Sequence, residues 1–253
     1  MNTVEVSDLY VAHQGEGANL GRYSLFLRLR RCVLACDWCD TKYTWDKNVP
    51  WYTEYQTLTV EELASEMVRV ALQPGKSRCP LCLVVTGGEP LIWQRQLAKV
   101  IPRYKEVILR ETGILPAVEV ETSGMIRPLW LSQCSFNVSP KLRSSGNARI
   151  PLGKRINEEA TVDFLNLLAV FKPVVSREHT QEIGEYIRWL LGVARAHGHS
   201  ENLVRSRIYL MPEAISEREL VVAQREVIAL ANAYGVNCTT RMHVLAFGNM
   251  RGI

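Results

Sequence analysis

Three cysteines fall within eight residues, Cys32-Val33-Leu34-Ala35-Cys36-Asp37-Trp38-Cys39, in the spacing C-x3-C-x2-C. Three thiolates on one short loop can hold three irons of a cubane. The fourth iron then lacks a protein ligand and is free to bind a small molecule, whereas ordinary electron-transfer clusters use four cysteines. The incomplete set points to chemistry at an open iron, with Cys32, Cys36 and Cys39 as ligands of a [4Fe-4S] cluster. Two other readings use the same residues: a structural zinc site with its fourth ligand elsewhere, or three buried thiols without a metal. Cys79-Pro80-Leu81-Cys82 is a C-x2-C pair without a matching second pair, and a coincidence at a strand start is its simplest account. Cys134 and Cys238 read as buried small apolar residues.

A chain of 253 residues with net charge +4 can build one large core, and no Pro/Gly/Ser-rich linker divides it, so we expect a single domain over 1–253. Acidic and basic residues alternate throughout. That balance suits an anionic small molecule, and without a dense Lys/Arg stripe no nucleic-acid partner is expected. The best apolar run, Leu165 to Val175, is interrupted by Asn166 and Lys172, so no membrane span is expected either. The opening MNTVEVSDLYVAHQ lacks a basic region followed by an apolar one. Together with an odd count of seven cysteines, this predicts reduced thiols in a cytoplasmic protein.

The elements that must carry these residues read as strand, loop, helix, repeated. Ser24 to Arg30 alternates and feeds the cysteine loop as the first strand. Residues 43–57 have no period and read as a loop insertion, with Trp51 and Tyr52 packing it down. Thr59 and Glu62 form a capping box for a helix carrying Leu63, Met67, Val70 and Ala71, which Gln73-Pro74-Gly75 ends. Leu81 to Val85 is a buried strand ending at Thr86-Gly87-Gly88-Glu89-Pro90, followed by a helix over roughly Gln94 to Lys105. Further strands are Ala117 to Glu121, Ser135 to Val138, one within Leu165 to Val175, Arg207 to Leu210, and a last one over Met242 to Phe247. Ser216 and Glu219 cap a helix that Gly235 closes. His243 reads as a packed, hydrogen-bonded residue of the last strand, and His179, His197 and His199 as solvated. The pattern predicts an α/β fold with a mostly parallel sheet, open or partly closed into a modified (β/α) barrel, and polar motifs at the strand ends where such folds place active sites.

The cysteine segment, with Trp38 before its third cysteine, resembles the radical S-adenosylmethionine (SAM) superfamily signature. Gly87-Gly88-Glu89-Pro90 resembles that superfamily's second motif, whose glycine pair lets backbone approach a ligand closely. The flanks narrow the resemblance. Gln14-Gly15-Glu16-Gly17, Arg28, Cys39-Asp40-Thr41, Glu121-Thr122-Ser123-Gly124, Ser139-Pro140-Lys141 and the ending His243 to Ile253 are together similar to the 7-carboxy-7-deazaguanine synthase family. A glycyl-radical activating enzyme would share the cysteines and the glycine motif, but has no use for the other segments together.

That resemblance implies a partial barrel of the radical SAM type. It implies a lyase that contracts the ring of 6-carboxy-5,6,7,8-tetrahydropterin to 7-carboxy-7-deazaguanine and ammonia, in preQ0/queuosine-type biosynthesis. A reduced cluster would cleave SAM to a 5′-deoxyadenosyl radical that takes hydrogen from C6 of the pterin and later returns it, with Mg2+ assisting. A reductase or flavodoxin-like electron donor and a homodimer are also implied. By the same resemblance Thr41 would bind Mg2+. Trp38, Cys39, Asp40, Gly88, Ser139, Pro140, Lys141, Met211, Pro212, Glu213 and Ala214 would line SAM. His13, Gln14, Gly15, Arg28, Thr86 and Ile253 would contact the pterin, with Arg28 facing its carboxylate and Glu16 and Glu121 as further polar contacts. This chain departs from common family residues at Arg31-Cys32-Val33, usually Gly-Cys-Asn, at Tyr23, usually proline, and within Ala246-Phe247, usually holding a tryptophan.

Overall fold

The computed structural model describes residues 2–73, 79–147 and 149–252. In chain order the elements are β1 (Thr3–His13), β2 (Tyr23–Leu29), β3 (Gln56–Thr59), α1 (Val60–Ala71), β4 (Cys82–Gly87), α2 (Gln94–Thr112), β5 (Ala117–Thr122) and β6 (Ser135–Val138). There follow α3 (Leu152–Arg155), α4 (Glu158–Asn166), β7 (Val170–Phe171), β8 (Val174–Val175), α5 (Thr180–Ala196) and α6 (Glu201–Arg205). The chain ends with β9 (Tyr209–Pro212), α7 (Glu217–Tyr234), β10 (Asn237–Cys238) and α8 (Met242–Phe247). A seven-stranded sheet runs β3-β1-β2-β4-β5-β6-β7, and a three-stranded one runs β10-β9-β8. The pairings from β2 to β7, and those of the smaller sheet, are parallel; β1 pairs antiparallel with both β2 and β3. A parallel bridge between Phe171 and Ile208 joins the two sheets. Among the described residues β3 and β10 do not pair with each other, so the arc is a partial barrel, as expected.

Side-chain alternation along the parallel strands decides what faces the interior of the arc. Leu25, Leu27 and Leu29 of β2, Leu83 and Val85 of β4, and Val118 and Val120 of β5 belong to the main core under α1 and α2. Burying each such side chain contributes roughly 1.5–3 kcal/mol. The other face carries Phe26 and Val84, clustered with Tyr10, and then the polar residues Arg28, Thr86, Glu119, Glu121 and Asn137. Arg28 and Thr86 stand side by side in register, as do Glu121 and Asn137. Both capping boxes form, at Thr59 and Ser216, and Gly235 closes α7 in the left-handed conformation at φ 60°.

Several expectations change. The strand feeding the cysteine loop is the second, because Thr3–His13 forms a long strand ahead of it. Residues 43–57 are irregular as expected, apart from a 3-10 turn begun at Lys42 and the first residues of β3. The helix after β4 extends to Thr112 with Pro102 inside it. Leu165 and Asn166 end α4, and the remaining apolar run is split into two short strands at Lys172-Pro173, where proline offers no N–H to a ladder. Met242–Phe247 is a helix, not a strand: its first N–H is taken by the Gly15 carbonyl at 2.8 Å, and only Val244 is buried. Pro74 and Gly75 lie outside the described residues.

Candidate active site

The C-terminal ends of the parallel strands open onto a cavity of about 1050 Å³. All three cysteines of the short loop line it, with Cys36 buried and Cys32 and Cys39 half-buried. Burial pushes the Cys32 thiol up to about 12, opposed by a Leu34 backbone N–H, and burial also raises Cys36. The sulfurs are met by donors from elsewhere: Asn147 Nδ2 donates to Cys36 Sγ at 3.2 Å and Trp45 Nε1 to Cys39 Sγ at 3.4 Å. Among the described residues no three His, Cys, Asp or Glu side chains converge on a point where one ion could sit. A cubane does not require that, since each thiolate binds its own iron.

The loop after β4 docks on the cysteine loop by backbone. Gly88 N–H donates to the Leu29 carbonyl at 3.0 Å and Glu89 N–H to the Arg31 carbonyl at 2.8 Å. A Cβ on Gly87 would overlap Leu29 backbone, and one on Gly88 the Arg31 carbonyl. The glycine pair is therefore needed for loop-on-loop packing, and both glycines also line the cavity. Glu89, fully buried, accepts from Leu91 N–H at 3.1 Å, Thr122 Oγ1 at 2.7 Å, Ser123 N–H at 2.9 Å and the Ser123 hydroxyl. It ties the end of β4 to the end of β5. Arg31, where glycine is usual in the resembling family, holds a left-handed φ of 71° and pairs with Glu5.

Eighteen of the twenty residues expected at the site line this one cavity: the three cysteines, Trp38, Asp40, Thr41, Gly88, Ser139, Lys141, Met211, Pro212, Glu213, Ala214, His13, Gln14, Gly15, Arg28 and Thr86. Pro140 does not line it, and Ile253 lies outside the described residues. The four residues Asn249 to Gly252 do reach the cavity. Their position is held by Arg251, which donates to Asp8 and to Glu54, both at 2.9 Å, and sits over the Tyr43 and Trp51 rings. Tyr23 packs its ring on His13 at 5.4 Å. Lys141 Nζ donates to Ser139 Oγ at 2.7 Å and lies 5.0 Å from the Trp38 ring.

Another part of the cavity wall is a buried ion network, in which the sequence reading named Gln14, Glu16, Asp40 and Glu121 but missed Lys172, Arg241, Asn137 and His243. Lys172, 2% exposed, bridges Glu16 at 2.7 Å and Glu121 at 3.0 Å. Glu121 also accepts from Gln14 Nε2 at 3.2 Å and Asn137 Nδ2 at 3.0 Å. Arg241 donates to Glu16 at 2.9 Å and joins Asp40 and the Ala214 carbonyl. Burial pushes Glu16 up, but Lys172 and Arg241 outweigh it and hold the carboxyl well below the usual range. His243 lies on α8 with Nε2 3.9 Å from Glu16, and burial pulls it below its ordinary value. A Cβ on Gly15 would run into this imidazole. His179, expected to be solvated, is exposed but lines the cavity mouth.

Arg28 keeps one donor without a hydrogen-bond partner among the described residues. Its NH2 donates to Tyr10 OH at 3.0 Å, while its Nε lies 3.5 Å from Asp8 without hydrogen-bond geometry and has no partner among the described residues. A half-buried guanidinium with a spare donor on a cavity wall suits a carboxylate ligand. The donor set therefore fits an iron–sulfur group at one end of the cavity and a polar, carboxylated ligand at the other. Cys82 opens β4, fully buried, with its sulfur 3.6 Å from Glu119, and Cys134 is buried; Cys238 is only half-buried.

No protein-family model matches this chain. It is 35% identical over 252 residues, 98% of its own length and 97% of the relative's, to the 7-carboxy-7-deazaguanine synthase of Pyrobaculum aerophilum. To the synthase of that name from Hyperthermus butylicus it is 31% identical over 256 residues, 97% and 94% of the two chains. Its fold matches the crystal structure of QueE from Escherichia coli with a TM-score of 0.64 over 95% of both chains, at 23% identity. With a relative above 30% identity matched almost from end to end, and the same fold in a solved structure, this chain belongs to the 7-carboxy-7-deazaguanine synthase family.

Proposed function

We propose that this chain is a 7-carboxy-7-deazaguanine synthase, a lyase converting 6-carboxy-5,6,7,8-tetrahydropterin to 7-carboxy-7-deazaguanine and ammonia in 7-deazapurine biosynthesis. The observation that carries the reading is one cavity shared by three clustered thiols, Thr41, Arg28 and the Gln14–Glu121 amide–carboxylate pair. Cys32, Cys36 and Cys39 would hold a [4Fe-4S] cluster, and Thr41 would offer its hydroxyl to Mg2+. A cluster held there would supply one-electron reducing chemistry to SAM bound beside it.

The chain's own residues bind and orient. Trp38, Asp40, Gly88, Ser139, Lys141 and the Met211–Ala214 segment form the SAM wall next to the thiols. Arg28, held by Tyr10 and Asp8 on the cavity wall, pairs with the substrate carboxylate. Gln14 and Glu121 present an amide and a carboxylate, already hydrogen-bonded to each other, to the donor–acceptor edge of the pterin. Lys172 and Arg241 keep Glu16 ionised, so that wall stays charged at neutral pH. His13, Gly15 and Thr86 complete the pterin contacts, with Ile253 and Pro140 assigned on the resemblance alone. The tail held by Arg251 contributes one side of the cavity.

The same reading assigns a reductase or flavodoxin-like electron donor, a homodimer and a cytoplasmic location. It is supported by seven free cysteines and by a mild net charge of +4. Among the described residues no helix is long and apolar enough to cross a membrane. The test is anaerobic reconstitution with iron and sulfide, reduction, and incubation with SAM, Mg2+ and the carboxy-tetrahydropterin. The expected result is a ring-contracted product in the mass spectrum. SAM cleavage without that product would overturn the assignment, and a colourless protein binding one zinc would overturn the cluster as well.

A further inference from the structure

Two of the three thiols accept a hydrogen bond from a side-chain N–H. Asn147 Nδ2 donates to Cys36 Sγ at 3.2 Å, and Trp45 Nε1 donates to Cys39 Sγ at 3.4 Å. Both donors lie outside the C-x3-C-x2-C segment and are brought to it by folded turns. Trp45 follows a 3-10 turn over Lys42–Thr44, fixed by Thr44 N–H on the Thr41 carbonyl at 2.9 Å and Trp45 N–H on the Lys42 carbonyl at 3.0 Å. Asn147 holds a left-handed φ of 55°, a conformation asparagine tolerates better than most residues. Its Oδ1 accepts from Ala35 N–H at 2.7 Å, so one side chain both braces the cysteine loop and aims a donor at its central sulfur.

We propose that Trp45 and Asn147 are positioning residues that act through Cys39 and Cys36 to raise the reduction potential of the cluster. The inference rests on the reading that these thiolates hold a [4Fe-4S] group. The sulfurs take up part of the negative charge when one electron enters from the external donor, which loses that electron; no bond is made or broken and no proton moves. An N–H dipole pointing at sulfur stabilises the more negative, reduced form more than the oxidised one. Hydrogen bonds to cluster sulfurs are an established determinant of potential. Cys36 is buried and Trp45 half-buried, so water does not simply replace a lost donor. Neither residue is needed as a ligand, and both are invisible in the cysteine spacing.

Trp45→Phe keeps a planar aromatic ring and deletes the N–H. In the reconstituted protein without SAM, a redox titration followed by electron paramagnetic resonance is expected to show the reduction equilibrium constant fall by about tenfold, or ~59 mV for one electron. Asn147→Gly keeps the left-handed backbone, removes the other donor and should shift the potential in the same direction. A second measurement needs no variant. Protein carrying 15N in the tryptophan indole is expected to show a 15N coupling to the reduced cluster by pulsed resonance. A full cluster with an unchanged potential in Trp45→Phe overturns the inference and leaves the functional reading intact. If the variant fails to hold a cluster, the labelled unaltered protein decides: no indole coupling overturns the inference. Failure of the unaltered chain to assemble a cluster overturns the functional reading itself.

Discussion

Lys172→Met keeps the apolar stem of a side chain that is 2% exposed and deletes an ammonium lying 2.7 Å from Glu16 and 3.0 Å from Glu121. At an effective dielectric of about 20, the raw attractions are about 6 and 5.5 kcal/mol. Returning the ammonium to water offsets most of that, and removing one member of a buried ion pair typically costs ~3–5 kcal/mol net. The lower end applies here. Glu16 keeps Arg241 at 2.9 Å, and Glu121 keeps its donors Gln14 and Asn137. We therefore expect a loss of ~3 kcal/mol. With a urea slope of about 3 kcal/mol per molar, the unfolding midpoint should drop by about 1 M. Urea unfolding of the metal-free protein, followed by circular dichroism at pH 7, measures it. The Glu16 part has a pH signature. Its folded value is depressed, so its stabilisation is complete above the unfolded value near ~4.3 and is lost as pH falls through the lower folded one. The gap between native and variant should be flat from about pH 5 to 8 and narrow below about pH 4. A midpoint unmoved at pH 7 would refute the claim that this bridge is a desolvated, structural ion pair.

Gly15→Ala should leave the fold nearly intact, costing about 1 kcal/mol, because its Cβ meets the movable imidazole of His243 and not backbone. Turnover should fall at least about tenfold, and combining it with His243→Ala should restore the lost stability in thermal unfolding, a coupling expected of residues in contact. Arg28→Met removes a half-buried guanidinium with a spare donor; steady-state kinetics should show the Michaelis constant for the pterin rising about 30-fold, ~2 kcal/mol, with a smaller change in kcat. Arg31→Gly should be within about 0.5 kcal/mol of neutral in denaturant unfolding. Relief of a left-handed φ of 71°, about 1 kcal/mol, offsets loss of the exposed pair with Glu5.

What the sequence by itself determined was the chemistry of contiguous motifs. Cys32, Cys36 and Cys39 sit on one loop whatever the fold does, so their spacing alone brings three thiols together and offers three ligands to a metal group. The strand–loop–helix repeat and the paired caps at Thr59 and Ser216 are likewise local, set by periodicity and by hydrogen bonds spanning three residues. The partners that hold Glu16, Asp40 and Glu121 in the cavity wall were not legible, because they are far apart in the chain. Lys172 looked like a flaw in an apolar run, yet it is a buried counter-ion 156 residues from Glu16. Arg241 gave no signal, and the short apolar run Val244–Phe247 after His243 reads equally well as a strand. Only tertiary contact decides that case: with the Gly15 carbonyl holding its first N–H, the segment coils as a helix. The same holds for Gly87 and Gly88, whose missing side chains make room for the Leu29–Arg31 backbone, and for Asn147 and Trp45, which reach sulfurs from separate turns. Ligands close in sequence are specified by covalent connectivity, whereas the charges and donors that surround them are specified by which strand ends the folded sheet brings side by side.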